Sequence, residues 1–201
     1  VIEQLSLILG SSPDINLMIG TSLDGLEAAH DRIRGTAGAF ENLVKTVGEI
    51  KERFPRITVE TNFTITPENA DQLSAAFDFT RQFGVGFSAQ FPIPWEETSE
   101  MNWDPRRLRE VEADIHRIME NIYREEKTAV GPPPPGLLVR LQYLKGLIDY
   151  ERNPRRIFPN CPAPYRYAMI SPQGDLYFCP KLKEMIVGNI RENSFDQLWL
   201  S

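Results

Sequence analysis

From Ile2 to about Ile93 the apolar positions switch between a spacing of three to four and a spacing of two, the mark of βαβ units on a parallel sheet. Residues 15–22 read as a strand. Phe40, Leu43, Val44, Val47, Ile50 and Phe54 then recur at helical spacing, and Pro55 closes that helix. Residues 57–65 form a second predicted strand. Thr66 as N-cap and Pro67 at the first helical position are expected to open another helix. It turns Leu73, Ala76, Phe77 and Phe83 inward and stops at Gly84. Residues 85–93 form the third strand.

Parity within the strands adds a constraint. Ile57, Val59, Thr61, Phe63 and Ile65 share one face of the second strand, while Glu60, Asn62 and Thr64 share the other. In the third, Val85, Phe87, Ala89 and Phe91 oppose Gly86, Ser88 and Gln90. A parallel sheet covered by helices on both faces reads instead as a continuous apolar run. Polar residues along a whole face need water or a ligand beside them, because burying each unpaired costs about 1–3 kcal/mol. An incomplete barrel with a polar interior satisfies this, and so does a two-layer α/β sandwich with one solvent-facing side.

Past Pro94 the pattern changes. Asp104-Pro105 opens a long amphipathic helix with Leu108, Val111, Ile115, Ile118, Met119 and Ile122 on one face. The run Gly131-Pro132-Pro133-Pro134-Pro135-Gly136 is a stiff break, and a further helix follows through Leu137, Leu141, Leu144 and Ile148. The last forty or so residues carry short strands around a Ser171-Pro172-Gln173-Gly174-Asp175 turn. No internal repeat stands out.

Composition narrows the partners. The net charge is −6 and no block of basic residues occurs, which argues against nucleic acid and anionic membrane. No apolar run is long enough to span a bilayer, and the start has no signal-peptide pattern. Two cysteines, Cys161 and Cys179, do not make a disulfide framework, so a reducing, cytoplasmic setting is expected. The Val1 start and the ending Leu198-Trp199-Leu200-Ser201 are expected of a piece of a longer protein.

Two clusters carry chemistry. In Thr21-Ser22-Leu23-Asp24-Gly25 a strand ends in a hydroxyl and a carboxylate, and Arg34 arrives twelve residues after Ser22, within His30-Asp31-Arg32-Ile33-Arg34-Gly35. Active-site groups of barrels collect at such strand ends, and an arginine fork suits a carboxylate. Equally, Ser22 and Asp24 can be turn formers and Arg34 a surface residue. The second cluster is Cys161 and Cys179, brought toward each other by a predicted hairpin at Gly174. Two thiolates so placed suit a metal or an iron–sulfur cluster; two buried free cysteines or a redox pair fit the spacing as well.

The run from Ile19 to Gly35 resembles the fourth strand and following loop of radical S-adenosylmethionine enzymes. By that resemblance Ser22 and Arg34 hold the methionyl carboxylate of S-adenosylmethionine. The resemblance also places Asp24, at the rim of the lumen, and Asn62, lining the cofactor pocket, among the cofactor-binding residues. Cys161, Gly174 and Cys179, followed by Val187-Gly188-Asn189-Ile190 and Ser194-Phe195-Asp196-Gln197-Leu198-Trp199, are similar to the opening of the SPASM and twitch auxiliary domains. That similarity implies an auxiliary 4Fe–4S cluster on Cys161 and Cys179.

The resemblance implies an α/β fold: residues 1–128 as the later part of a partial (β/α)6 TIM-like barrel of parallel strands, 129–158 as linker and helix, and 159–201 as the start of the auxiliary domain. It also implies a 5′-deoxyadenosyl radical that takes hydrogen from a peptide, protein or small-molecule substrate, with electrons from a donor such as a flavodoxin or ferredoxin. Two departures stand out. The CxxxCxxC loop that binds the radical-generating 4Fe–4S cluster is not among these residues, and two thiolates are short of a four-ligand auxiliary set. Pro180 follows Cys179 where the sulfatase-maturating subclass has an aspartate base, which disfavours that subclass. Two rivals from other classes remain open: a non-catalytic binding module that has lost its cluster, and an α/β domain with a zinc or thiol site.

Overall fold

Period-two segments become strands where the pattern places them. In the computed structural model, which describes residues 1–92, 103–127, 132–153, 163–179 and 184–199, β1 (Met18–Ser22), β2 (Thr58–Thr64) and β3 (Gly86–Gln90) pair in parallel in that order. This is the α/β architecture expected. Each strand is shorter than its apolar run. Ahead of β1 the amide of Ile15 donates to the Ser12 carbonyl at 3.2 Å, so the chain is still turning off α1 (Ile2–Ser11) there.

Two compact units divide the chain, Val1–Pro154 and Arg155–Ser201. In the first, α2 (Glu27–Arg34) and α3 (Ala39–Arg53) connect β1 to β2, and α4 (Leu73–Phe83) connects β2 to β3. These helices bury the face of the sheet that the sequence marks as apolar. Val59 packs with Val47 and Ile50, and Phe63 and Phe87 with Leu73 and Phe77. Thr61, the one hydroxyl on that face of β2, is buried and donates to the Gly86 carbonyl at 2.9 Å. Its polarity therefore costs little.

The helix expected at Thr66-Pro67 begins later. Thr66 is not its N-cap: residues 67–69 turn, a 3₁₀ segment covers Ala70–Gln72, and α4 starts at Leu73. The reason is Asn69, whose side-chain oxygen takes the Thr66 amide at 2.8 Å and its hydroxyl at 3.1 Å. Asp104 does cap α5 (Pro105–Glu126), accepting the Arg106 amide at 2.8 Å, and Val111, Ile115, Ile118 and Ile122 are its buried stripe. α6 (Pro135–Arg152) starts inside the proline run, because a proline at the first helical position removes only an amide that has no intrahelical acceptor. On the outer edge of β3, Arg140 donates to the Phe87 carbonyl at 3.0 Å and Tyr143 to the Ala89 carbonyl at 3.1 Å. Unpaired strand edges invite further pairing, and α6 occupies this one.

The second unit contains α7 (Ala163–Arg166), β4 (Met169–Ile170), β5 (Asp175–Tyr177), β6 (Gly188–Asn189) and α8 (Phe195–Trp199), with the three strands in one antiparallel sheet. The β4–β5 hairpin forms at the predicted turn. Gly174 sits there at φ 97°, a conformation that disfavours a side chain. Ser171 accepts the Gln173 and Asp175 amides through its hydroxyl.

Candidate functional site

The second face of the large sheet is polar across all three strands, because the register puts like with like. Ser22 stands beside Asn62 and Asn62 beside Ser88. One row further along, Thr64 stands beside Gln90, and one row back Glu60 lies between Gly20 and Gly86. Ser22, Glu60, Asn62, Thr64 and Ser88 are all half-buried. The Ser88 hydroxyl donates to the Asn62 side-chain oxygen at 2.5 Å, while the Ser22 hydroxyl has no hydrogen-bond partner among the described residues. The strands are parallel, so Ser22, Thr64 and Gln90 all end at the same edge of the sheet.

Asp24 lies just past that edge and is 3% exposed. Its Oδ1 accepts the Thr64 amide at 2.9 Å and its Oδ2 meets Arg34 Nη2 at 2.5 Å. Its own amide donates to His30 Nδ1 at 3.2 Å, and its carbonyl accepts from Asn69 Nδ2 at 3.1 Å. The same Asn69 nitrogen reaches the Thr64 carbonyl at 2.9 Å. Asn69 is wholly buried and so binds three stretches of chain: the loop after β1, the end of β2, and the turn before α4. Together these bonds hold the loop after β1 against the tip of β2.

Arg34 closes α2, and its side chain remains 38% exposed while paired with Asp24. A guanidinium carries five N–H donors. Among the described residues Asp24 is its partner, which leaves donors free for a second acidic group. Burial lowers the pKa of His30, and the neighbouring Arg34 guanidinium lowers it further, against the opposing pull of Asp24 and Asp31. A neutral ring agrees with the hydrogen bond that its Nδ1 accepts. Asp31 points elsewhere and accepts the Phe40 and Gly38 amides at 2.9 and 2.6 Å, at the start of α3. Those bonds hold its carboxyl below the ordinary range.

Of the predicted site residues, Asp24 and Arg34 are brought into contact, and Ser22 and Asn62 are strand neighbours on one face. The sequence reading missed His30 and Asn69 as residues that build this corner, although His30 lay inside the motif. Asn69, distant from Asp24 along the chain, carried no local signal. Cys161 and Pro180 lie outside the described residues. Cys179 is a half-buried free thiol following Phe178, whose ring meets Trp199 edge-on at 5.3 Å. Among the described residues no three histidine, cysteine or acidic side chains converge as a metal site, and no helix is long and apolar enough to cross a membrane.

The molecule is thus an α/β unit with an open polar sheet face and an arginine at its strand ends, followed by a small β unit bearing a cysteine. Residues 161–201 match the SPASM family, an iron–sulfur cluster-binding domain. The chain is 24% identical to the AdoMet-dependent heme synthase of Nitratidesulfovibrio vulgaris over a 202-residue alignment, covering 89% of this chain and 50% of that protein. It spans about half the length of that relative. Both matches agree with the resemblance to SPASM-containing radical S-adenosylmethionine enzymes.

The buried imidazole sets a pH response. A histidine whose folded pKa lies below its unfolded value of about 6.5 lends stability that is complete above that value and declines as pH falls toward the folded pKa. Protonating Nδ1 removes the acceptor of the Asp24 amide. The melting temperature of the wild type is expected to drop as pH falls below about 6.5. In His30→Asn, which keeps an acceptor but cannot take a proton, it should stay level until carboxylates titrate. Parallel curves for the two proteins would exclude His30 as the source.

Proposed function

We propose that this chain supplies the part of a radical S-adenosylmethionine active site that grips the methionyl carboxylate, together with the leading section of an auxiliary cluster domain. The observation that carries the reading is Arg34. A buried acidic partner holds it just past the end of β1, its side chain is 38% exposed with donors left over, and the Ser22 hydroxyl at that strand end has no partner among the described residues. This arrangement fits a carboxylate, with Ser22 as a second donor and Asn62 and Ser88 offering amide and hydroxyl groups further across the sheet. The open polar face then serves as the lining of a barrel that strands outside these residues complete.

When bound, S-adenosylmethionine would supply a 5′-deoxyadenosyl radical for hydrogen abstraction, with the electron coming from a 4Fe–4S cluster fed by a donor such as a flavodoxin or ferredoxin. The residues on this chain do something more modest. They bind and orient the ligand's amino-acid end and fix its distance from the sheet. Cys161 and Cys179 fit two ligand positions of an auxiliary cluster and no more, since the sequence has two cysteines. The family resemblance supports a peptide or protein substrate. The name of the bacterial relative supports a second reading, a tetrapyrrole.

Three measurements bear on this. In the full-length protein with its clusters reconstituted, Arg34→Ala should weaken S-adenosylmethionine binding about tenfold to a hundredfold, the worth of charge-assisted hydrogen bonds at roughly 1.5–3 kcal/mol. Its affinity for the decarboxylated analogue should stay unchanged, and an equal loss for both ligands would refute the carboxylate role. The isolated 201-residue chain, reconstituted anaerobically, should hold well under one 4Fe–4S per chain by iron and sulfide analysis; full occupancy would contradict the two-ligand reading. Deuterium appearing in 5′-deoxyadenosine from a labelled peptide would favour the first substrate class, and from a labelled tetrapyrrole the second.

A further inference from the structure

The resemblance placed Asp24 among the cofactor-binding residues. Its surroundings assign it a different task. The carboxylate is buried, with one oxygen on the Thr64 amide and the other on Arg34. Its backbone amide and carbonyl are likewise engaged, by His30 and Asn69. With both oxygens engaged inside the protein, Asp24 is poorly placed to touch a ligand on the open face. Arg34 is the reverse: its side chain is 38% exposed and tethered at one nitrogen, which leaves its other donors uncommitted among the described residues.

We propose that Asp24 is a positioning residue, a buried anionic anchor that fixes the Arg34 guanidinium in the orientation needed to receive a carboxylate in bidentate fashion. The inference rests on the carboxylate reading of the site and extends it. A guanidinium is a planar fork, and its value for a carboxylate depends on the plane in which it is held. An untethered arginine spreads over many rotamers, and binding must then freeze them. The anchor is itself held rigid. Asn69 bonds both the Asp24 and Thr64 carbonyls, so the loop after β1 cannot shift relative to the tip of β2 without breaking buried hydrogen bonds.

Charge alone predicts the opposite sign, and that makes the proposal testable. Removing a negative charge beside Arg34 raises the local positive potential and, by Coulomb attraction, should strengthen binding of an anion. Removing an anchor should weaken it. Asp24→Asn preserves the size of the side chain and the acceptor for Thr64, but can present an amide N–H to Arg34.

The experiment measures the affinity of the full-length, cluster-loaded protein for S-adenosylmethionine and for its decarboxylated analogue, in wild type, Asp24→Asn, Arg34→Ala and the double variant. Positioning predicts that Asp24→Asn loses about tenfold in affinity for S-adenosylmethionine, keeps its affinity for the analogue, and adds no further loss once Arg34 is alanine. Tighter binding in Asp24→Asn, or a loss that is the same for both ligands or additive with Arg34→Ala, overturns the proposal. If Arg34→Ala itself leaves S-adenosylmethionine binding intact, the carboxylate reading fails first, which separates the two failures. Should Asp24→Asn fold poorly, the side-chain NMR signals of Arg34 in the ligand-free wild type decide the matter. A single sharp guanidinium resonance set is expected, and averaged signals of a freely rotating group overturn the inference.

Discussion

The corner after β1 depends on one buried carboxylate. Asp24 accepts from the backbone of β2 with one oxygen and from the end of α2 with the other, so a single side chain locates a strand tip, a loop and a helix terminus. Burying a charge is unfavourable unless its hydrogen-bonding capacity is met. Here the partners are a main-chain amide and a guanidinium that stays partly in water, so the charge is compensated without desolvating the arginine fully. The neighbouring Asn69 donates to the carbonyls of Asp24 and Thr64, one in the loop after β1 and one at the end of β2.

That corner has value because of what the sheet does on either side. One face is sealed by α3 and α4 with aliphatic and aromatic side chains, and the other is left polar and half-open. Parallel pairing in register then stacks Ser22, Asn62 and Ser88 into a row, and sets Glu60 between two glycines in the next. Rigidity on the sealed side and hydrogen-bonding groups on the open side are the two things a small-molecule site needs. The arginine stands at the strand ends, where groups from separate loops can converge on one ligand.

The second unit uses close packing in place of a large core. A Cβ on Gly188 would fall 2.5 Å from a methyl of the buried Leu198, so β6 and α8 approach over a position that has no side chain. Phe195 and Phe178 both pack on the Trp199 ring. The glycine of one short segment and the leucine of the other, which looked like separate signatures in the sequence, are two sides of one contact.

Local spacing in the sequence was enough to determine the three parallel strands, their apolar and polar faces, the stripe and cap of α5, and the hairpin at Gly174, because each rests on a periodicity or a turn residue confined to a few positions. It was also enough to single out Ser22, Asp24 and Arg34 as candidates. It could not say that Asp24 turns toward Arg34 and the Thr64 amide, or that His30 receives the Asp24 amide. Nor could it show that Asn69 displaces Thr66 as the organiser of the turn before α4. The Asp24–Thr64 and Asp24–Asn69 bonds join residues 40 and 45 apart in the chain. A side chain with several possible partners is committed to one only when folding brings that partner within about 3 Å, and no short-range pattern encodes that choice.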